Sequence, residues 1–437
     1  MNLITVFLAE LKNNAFFVKY GLPVIILTPL FADIITGVFD VVLGANLPLS
    51  ALVRAIILLF GLLILFSSYG FFTKYLALLS FVYFCLSVYW MLSTNGQWVL
   101  ANFDNYIKIF FPLLCFLIFY KYIDHIELEP LLKSISLYGL IAAGSIIFFF
   151  LVGIGRESYG DYTFGVKGVF VAGNDIGIAI ILSSMVAWYR LSYKLSILDA
   201  LSALVSFIGL VFIASRTGLL VGSLVVICGV FSYLTLNRSK NALQKLAKLI
   251  IVTFILIIIF VITTLVIENI DKVGFHIARI TELLDGVSPR EHLEFTVNKV
   301  LATFSLNDQL FGVGQWFYLL IAEEHLTRWT LLPGKPFYKN AELDFVDLYG
   351  QTGLIFTLLY CVWIVVACFK LIRSCIVNYT ARFCFVALFA FIFLLSHATI
   401  AGHIFFGTQV PIIAAAIITI GMINIDKKVK NAQTSIP

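Results

Sequence analysis

Charged residues are scarce in this chain. Asp, Glu, Lys and Arg make up only 12% of its 437 residues, whereas 61% are hydrophobic. This excludes an ordinary soluble domain, in which about 25% of the residues are charged. Apolar runs of about 20 residues, the length that a helix needs to cross a bilayer, recur along the sequence. The composition therefore predicts an all-α polytopic membrane protein.

Several other features are missing. No short apolar core with a small-residue cleavage site follows the start of the chain, so we expect no removable signal peptide and a cytoplasmic N-terminus. None of the seven cysteines falls in the two long loops predicted outside, which excludes a disulfide framework there.

The six histidines lack metal-ligand spacing with a third ligand, so we expect no metal site. The net charge of +5 comes from basic residues in short loops, and we expect no nucleic-acid partner.

Apolar runs between charged breaks predict twelve membrane spans. Basic residues then concentrate in the cytoplasmic loops, as the positive-inside rule requires, and both termini are cytoplasmic. Because the first span carries two prolines and two aspartates, we expect it to be broken or partly re-entrant. The predicted spans lie near 21–44, 51–68, 73–92, 106–120, 134–153, 168–189, 196–214, 218–236, 248–268, 343–369, 381–397 and 403–424.

This topology divides the chain into three parts. Residues 1–268 form the N-terminal transmembrane helices, 269–342 a large outer loop, and 343–437 the C-terminal transmembrane helices and a cytoplasmic tail. The loop carries basic residues against the inside-positive bias. They either bind anionic head groups or phosphates, or are the solvated residues of a small soluble cap. Its aromatic residues either stack on sugars or form a belt at the membrane interface.

Arg216 stands out among the cations because apolar runs flank it in VFIASRTGLLVGS. An Arg at the membrane centre costs about 2.5 to 3.5 kcal/mol on insertion scales, so one at membrane depth is usually paired or functional. The planar guanidinium suits bidentate capture of a phosphate or pyrophosphate. The alternative is that the side chain snorkels to the outer interface.

Three carboxylates lie where the outer loop gives way to the next apolar run, in KNAELDFVDLYGQTG. Asp344 and Asp347 are three residues apart and can share a helix face, whereas Glu342 and Asp344 cannot. The group either supplies a proton acceptor or consists of acids favoured by the dipole of a helix N-terminus, an effect of about 0.3 to 1 kcal/mol. The second interpretation suits Asp347 best.

The order of these features resembles the O-antigen polymerase and O-antigen ligase superfamily. The similar elements are the SRT-type outer Arg (Arg216), a loop Arg (Arg290) followed by GVGxxF, and the loop exit N-x9-G-x-x-G that begins at Asn340. The segment GVKGVFVAGNDIG, which contains Asn174, resembles the family's Gly- and Asn-containing segment. Where the ligase branch has a His before this Asn, the chain has Lys339, and AELDF supplies the acids that are more frequent in polymerases. The resemblance therefore favours the polymerase branch.

The resemblance implies about twelve transmembrane helices with one large helical periplasmic loop, similar to the type C glycosyltransferases. It implies an enzyme of the bacterial inner membrane, with its active site facing the periplasm. Such an enzyme transfers a growing glycan from polyprenyl pyrophosphate onto the next lipid-linked repeat unit and needs no cofactor. Donor and acceptor are polyprenyl-pyrophosphate-linked oligosaccharides in the membrane lipid, and a chain-length regulator protein is an expected partner.

Two chemical tasks follow from this resemblance. Cations stabilise the leaving pyrophosphate, and a carboxylate accepts the proton of the attacking hydroxyl. We expect Glu342, Asp344 and Arg290 to be catalytic. The residues expected to bind pyrophosphate or substrate are Arg216, Arg279, Lys167, Asn174, Lys339 and Asn340.

Two alternatives remain open. An O-antigen ligase would transfer glycan to the lipid A-core instead. A polytopic transporter or flippase would need charges near the membrane centre, for which Asp33 is the best residue, while Asp40 and Arg54 could form a plain ion pair. The sequence has no pseudo-symmetric halves with matching broken helices, which weighs against a carrier.

Overall fold

The computed structural model is helical throughout the residues that it describes, with one isolated antiparallel bridge between Glu157 and Val166 and no strand among them. The described residues are 13–45, 47–67, 70–93, 99–158, 165–236, 298–315, 318, 343–377, 382–400, 402, 404–407 and 409–423, with a few single positions before 13. The helices are α1 (Leu22–Leu43), α2 (Leu49–Ser67), α3 (Phe71–Ser93), α4 (Val99–Tyr122), α5 (Leu128–Leu151), α6 (Gly173–Tyr193), α7 (Ile197–Ile213), α8 (Arg216–Leu236), α9 (Leu306–Phe311), α10 (Asp344–Val377), α11 (Arg382–Ile400) and α12 (Val410–Gly421).

Within the described part of the chain, nine helices are long and apolar enough to cross a membrane. A helical, multi-pass membrane protein is therefore confirmed. Two further apolar helices, α7 and α12, are shorter, and the span predicted at 248–268 lies outside the described residues. The predicted number of twelve spans thus stays a prediction.

Among the described residues of the last predicted span, 403–424, the helix runs from Val410 to Gly421. Twelve helical residues rise about 18 Å, which is less than the roughly 30 Å hydrocarbon core. All twelve are buried in the protein. Non-helical backbone at membrane depth is tolerated where protein covers it, so the stretch before α12 can remain irregular.

The first span is not broken. A π-helical turn at Phe17–Gly21 leads directly into α1, which continues through Pro29 to Leu43. An unwound segment would expose backbone polar groups to lipid, which costs more than the single hydrogen bond that proline removes. The aspartates of this helix have partners: Asp33 accepts a hydrogen bond from Ser50, and Asp40 forms an ion pair with Arg156.

The chain groups into two compact units. Unit 1 comprises Met1–Ile25, Ala51–Leu128 and Arg290–Pro437, and unit 2 comprises Ile26–Ser50 and Glu129–Pro289. Most of the predicted loop 269–342 lies outside the described residues, so the division into three parts stays a prediction.

Aromatic rings hold the core of unit 1 together. The ring of Tyr83 in α3 lies 5.7 Å from Trp90, 5.3 Å from Tyr106, 6.0 Å from Phe110 and 5.5 Å from Phe356, measured between centroids. These rings belong to α3, α4 and α10, and each aromatic pair adds about 0.5 to 1.5 kcal/mol beyond the burial of its area. The cluster therefore fixes α10 against α3 and α4.

Small residues allow the helices of unit 2 to pack closely against one another. A Cβ on Gly139 of α5 would lie 2.7 Å from Ser206 Oγ and 2.8 Å from Ser183 Cβ, and one on Gly209 of α7 would lie 2.5 Å from Ala143 Cβ. Close helix approach of this kind is how membrane helices associate, because lipid supplies no hydrophobic force between them. Helices α5, α6 and α7 thus form a tightly packed scaffold.

A buried ion pair closes one end of this scaffold. Arg190 Nε donates to Asp199 Oδ1 at 2.8 Å, and Ser136 Oγ donates to the same oxygen at 2.7 Å. A second carboxylate, Glu129, lies 3.0 Å from the Arg190 guanidinium but is 75% exposed, whereas the Asp199 side chain is 1% exposed. The pair ties α6 to α7 at the end predicted to face the cytoplasm.

Candidate functional site

A cationic turn lies at the predicted outer end of unit 2, between α5 and α6. The backbone N–H of Arg156 donates to Gly168 O at 2.7 Å, and the N–H of Lys167 donates to Arg156 O at 3.0 Å. These two hydrogen bonds hold the stretches around 156 and 167 side by side. Arg156 and Lys167 are therefore neighbours although eleven positions separate them.

This turn packs on the junction of α7 and α8. Val166 N–H donates to Phe212 O at 2.8 Å. Helix α7 ends at Ile213 and is followed by Ala214, whose φ of 54° is left-handed and rare for a residue with a Cβ. The next residue, Ser215, caps α8 by accepting a hydrogen bond from Gly218 N–H at 3.0 Å. The left-handed residue reverses the chain, and the serine starts a new helix at Arg216.

Two helix N-termini consequently meet at this place. Helix α6 begins at Gly173, and a Cβ on Gly177, one turn further along, would lie 3.8 Å from Ser215 Oγ, which caps α8. The Cβ of Lys167 lies 3.6 Å from the Cβ position of Gly173, and the half-buried Asn174 belongs to the same first turn. Each N-terminus carries about half a positive charge and unsatisfied backbone N–H groups, a combination that binds anions.

The side-chain charges of the turn favour an anion as well. Burial lowers the pKa of Lys167, and the nearby positive charge of Arg156 lowers it further. Lys167 Nζ donates to Val171 O at 2.8 Å, and the Arg156 side chain, 26% exposed, pairs with the half-exposed Asp40. Repulsion between two cations in one turn would be relieved by a bound anion.

Sequence reasoning named Lys167, Asn174 and Arg216 in this region but did not single out Arg156. The sequence could have indicated Arg156 as a candidate site residue, because it is a cation on the predicted outer side, where positive charge is unusual. What the sequence could not provide was the backbone pairing that brings it beside Lys167.

A second group of predicted residues lies at the start of α10 in unit 1. The carboxylate of Asp344 is 1% exposed, and its Oδ2 accepts hydrogen bonds from the backbone N–H groups of Ile404 at 2.6 Å and Phe405 at 3.0 Å. Asp344 therefore anchors the irregular segment that precedes α12. This structural role was not predicted.

Asp347 has a similar position one turn later. Its Oδ1 accepts from the Tyr318 hydroxyl at 2.9 Å, and its Oδ2 accepts from the Leu343 N–H at 3.3 Å, as expected for an acid in the first turn of a helix. Burial raises the pKa of Tyr318 well above its usual range, and the charge of Asp347 raises it further. Tyr318 thus stays protonated and serves as the donor that holds the outer segment to α10.

The GVG and G-x-x-G segments touch each other through their backbones. Gly312 and Gly353 have φ values of 70° and 76°, and a Cβ on Gly353 would lie 2.4 Å from Gly312 N. Helix α10 is kinked at Gly353, and the indole N–H of Trp90 donates to Gly312 O at 3.1 Å. Both positions require glycine, because a side chain would be strained in φ and would also collide with backbone.

The remaining predicted site residues lie outside the described residues or have side chains that are not described. The first set contains Arg279, Arg290, Lys339, Asn340 and Glu342. Arg216 belongs to the second set, since only its place at the start of α8 is described. The structure thus brings Lys167 and Asn174 together with the helix start at Arg216 in unit 2, and it places Asp344 in unit 1.

The chain was compared with known proteins. No protein-family model matches it, and no curated protein is significantly similar to it.

Proposed function

We propose that this membrane protein is a glycan polymerase that transfers a growing chain from polyprenyl pyrophosphate onto the next lipid-linked repeat unit. The observation that carries the proposal is the cationic turn of unit 2. There, two helix N-termini, Arg156 and Lys167 lie together at the end predicted to face the periplasm. A leaving pyrophosphate gains negative charge in the transition state, and fixed positive groups lower the free energy of that state.

The contacts between segments that resemble family motifs support the proposal. In unit 2, Val166 of GVKGVFVAGNDIG donates its N–H to Phe212 O, four residues before the Arg216 that begins α8. In unit 1, GVG packs on G-x-x-G. Motifs that serve one function are expected to lie close together in space although they are far apart in sequence.

In this proposal Arg216 and Lys167 of unit 2, assisted by Arg156, stabilise the departing pyrophosphate. Glu342 is the group that accepts the proton of the attacking sugar hydroxyl. We assign this role to Glu342 rather than to Asp344, because Asp344 Oδ2 is already engaged by two backbone N–H groups. A carboxylate that holds backbone in place is a poor proton acceptor, since protonation would break those hydrogen bonds.

The transport alternative depends on Asp33, which accepts a hydrogen bond from Ser50 at the start of α2. That contact gives Asp33 a structural role in unit 2.

The test is the surface-polysaccharide ladder of a deletion strain complemented with variants. Arg216→Ala, Arg156→Ala and Glu342→Ala should leave core lipid capped by a single repeat unit at normal protein levels. Lys194→Ala, an exposed lysine at the other end of unit 2, serves as the matched control and should restore the ladder. Bare core with accumulated lipid-linked polymer would point to the ligase, and an unchanged ladder in the deletion strain would contradict a role in this polymer.

A further inference from the structure

A second charged feature lies in unit 1, at helix ends that are predicted to face the cytoplasm. A cavity of about 220 Å³ opens there, lined mainly by apolar and aromatic side chains. Its lining comes from the start of α3, the end of α4, the second half of α10 and the residue after α12. The loops at these helix ends are the ones that the positive-inside rule predicts to be cytoplasmic.

Positive groups surround the polar part of this cavity. Lys121 and Lys370 both line it, and Lys370 Nζ lies 3.3 Å from the Tyr120 hydroxyl and 4.9 Å from the centroid of that ring. The first turn of α3, from Phe71 to Thr73, also lines it, so the positive end of a helix dipole adds to the two ammonium groups. Two ammonium groups and the N-terminal turn of a helix thus line the same cavity.

The walls of the cavity are apolar and partly exposed. Phe71 is 75% exposed, and Tyr120 and Val362 are about 40% exposed on the surface that lipid would cover. An ion from the cytosol would gain little from such walls, whereas acyl chains would lie along them. At about 220 Å³ the cavity is smaller than the usual 300 to 1,000 Å³ of a small-molecule site, so it suits a head group better than a whole metabolite.

We propose that this cavity binds the phosphate of an anionic phospholipid in the leaflet that faces the cytoplasm. Basic pockets between transmembrane helices on this side are a known way of holding anionic head groups. The lysines contact the phosphate, the N-terminal turn of α3 donates backbone N–H groups to it, and the acyl chains extend along Phe71 and Val362. The proposal does not depend on the polymerase activity.

Native mass spectrometry of the purified protein tests it, with phosphatidylglycerol and phosphatidylcholine offered at equal concentration. Wild type should retain phosphatidylglycerol preferentially. A lysine near an anionic surface contributes about 1 kcal/mol, or about fivefold in affinity. The double variant Lys121→Gln/Lys370→Gln should therefore bind phosphatidylglycerol about 25-fold more weakly, with phosphatidylcholine unchanged.

The matched control is Lys74→Gln/Arg373→Gln, which removes two exposed charges at the same end of unit 1 that do not line the cavity. It should keep the preference for phosphatidylglycerol. An equal loss in both double variants would overturn the proposal in favour of general surface attraction, as would an unchanged preference in the cavity variant. If the cavity variant fails to fold, the single variant Lys370→Gln, at an exposed position, should still show a fivefold loss. Displacement of the lipid by millimolar inorganic phosphate would overturn the lipid as occupant.

Discussion

Asp344 offers the sharpest test of how unit 1 is built. Its buried carboxylate accepts two backbone hydrogen bonds, at 2.6 and 3.0 Å, from residues about sixty positions later. A hydrogen bond to a charged group contributes about 1.5 to 3 kcal/mol, and a buried N–H without an acceptor carries a comparable penalty. We therefore expect Asp344→Ala to lower the free energy of unfolding by about 3 kcal/mol or more. Asp344→Asn keeps a neutral hydrogen-bond acceptor and should lower the free energy of unfolding by about half as much.

The assay is thermal unfolding of the purified protein in detergent, followed through the fluorescence of its tryptophans. The control is Glu127→Gln, which removes an exposed acid from the same unit. The melting temperatures should fall in the order wild type and Glu127→Gln, then Asp344→Asn, then Asp344→Ala. If Asp344→Ala melts with the wild type, the anchoring role of this carboxylate is refuted. Glu342→Gln should instead abolish transfer without lowering the melting temperature.

Three further predictions concern other parts of the fold. Gly353→Ala should destabilise the protein by more than about 2 kcal/mol in the same melting assay, because a left-handed φ alone costs about 1 to 2 kcal/mol and the new Cβ would also collide with backbone. The control Gly70→Ala should not destabilise it, because the nearest atom to a Cβ at that position is 3.9 Å away. Equal effects of the two substitutions would contradict the backbone contact at Gly353. Asp199→Asn should cost about 3 kcal/mol, because it removes the buried carboxylate from Arg190 and leaves only the 75% exposed Glu129 as its ionic partner. Glu129→Gln should cost under about 1 kcal/mol, and the reverse order would contradict the buried pair. The pKa of Lys167 is lower in the folded protein than in the unfolded chain, so the folded state favours the neutral amine. The contribution of this group to the free energy of unfolding therefore increases as the pH rises from the folded-state pKa to the unfolded-state pKa. Its acylation, followed by peptide mass spectrometry, should accordingly begin at lower pH in the folded protein than in the denatured one, and identical pH profiles would contradict the shift.

The membrane-spanning helices could be predicted because apolar length is a local property. Runs of about 20 apolar residues located α2, α3, α8 and α11 closely. For the last predicted span the described helix is shorter, from Val410 to Gly421, because sequence does not distinguish an apolar segment that faces lipid from one that is buried in protein. The described residues 404–407 before this helix are irregular and are anchored through Asp344.

The candidate site was predictable in part. Unusual residues such as Arg216 and Lys167 stand out because charge is costly at membrane depth and unusual outside. The roles of Asp344 and Arg156 depend on partners distant in sequence, namely the backbone at 404–405 and the strand-like pairing with Gly168. Such contacts arise from packing, which no single stretch of sequence encodes.

The most direct test of the central claim is transfer by the purified protein in liposomes, with a polyprenyl-pyrophosphate-linked oligosaccharide as the sole sugar substrate. A polymerase should yield lipid-linked glycans that are whole multiples of the repeat unit, together with released polyprenyl pyrophosphate. Arg216→Ala and Glu342→Gln should lose this activity, and Lys194→Gln should keep it. Movement of the substrate across the bilayer without a new glycosidic bond, or an unchanged substrate with folded protein, would contradict the account.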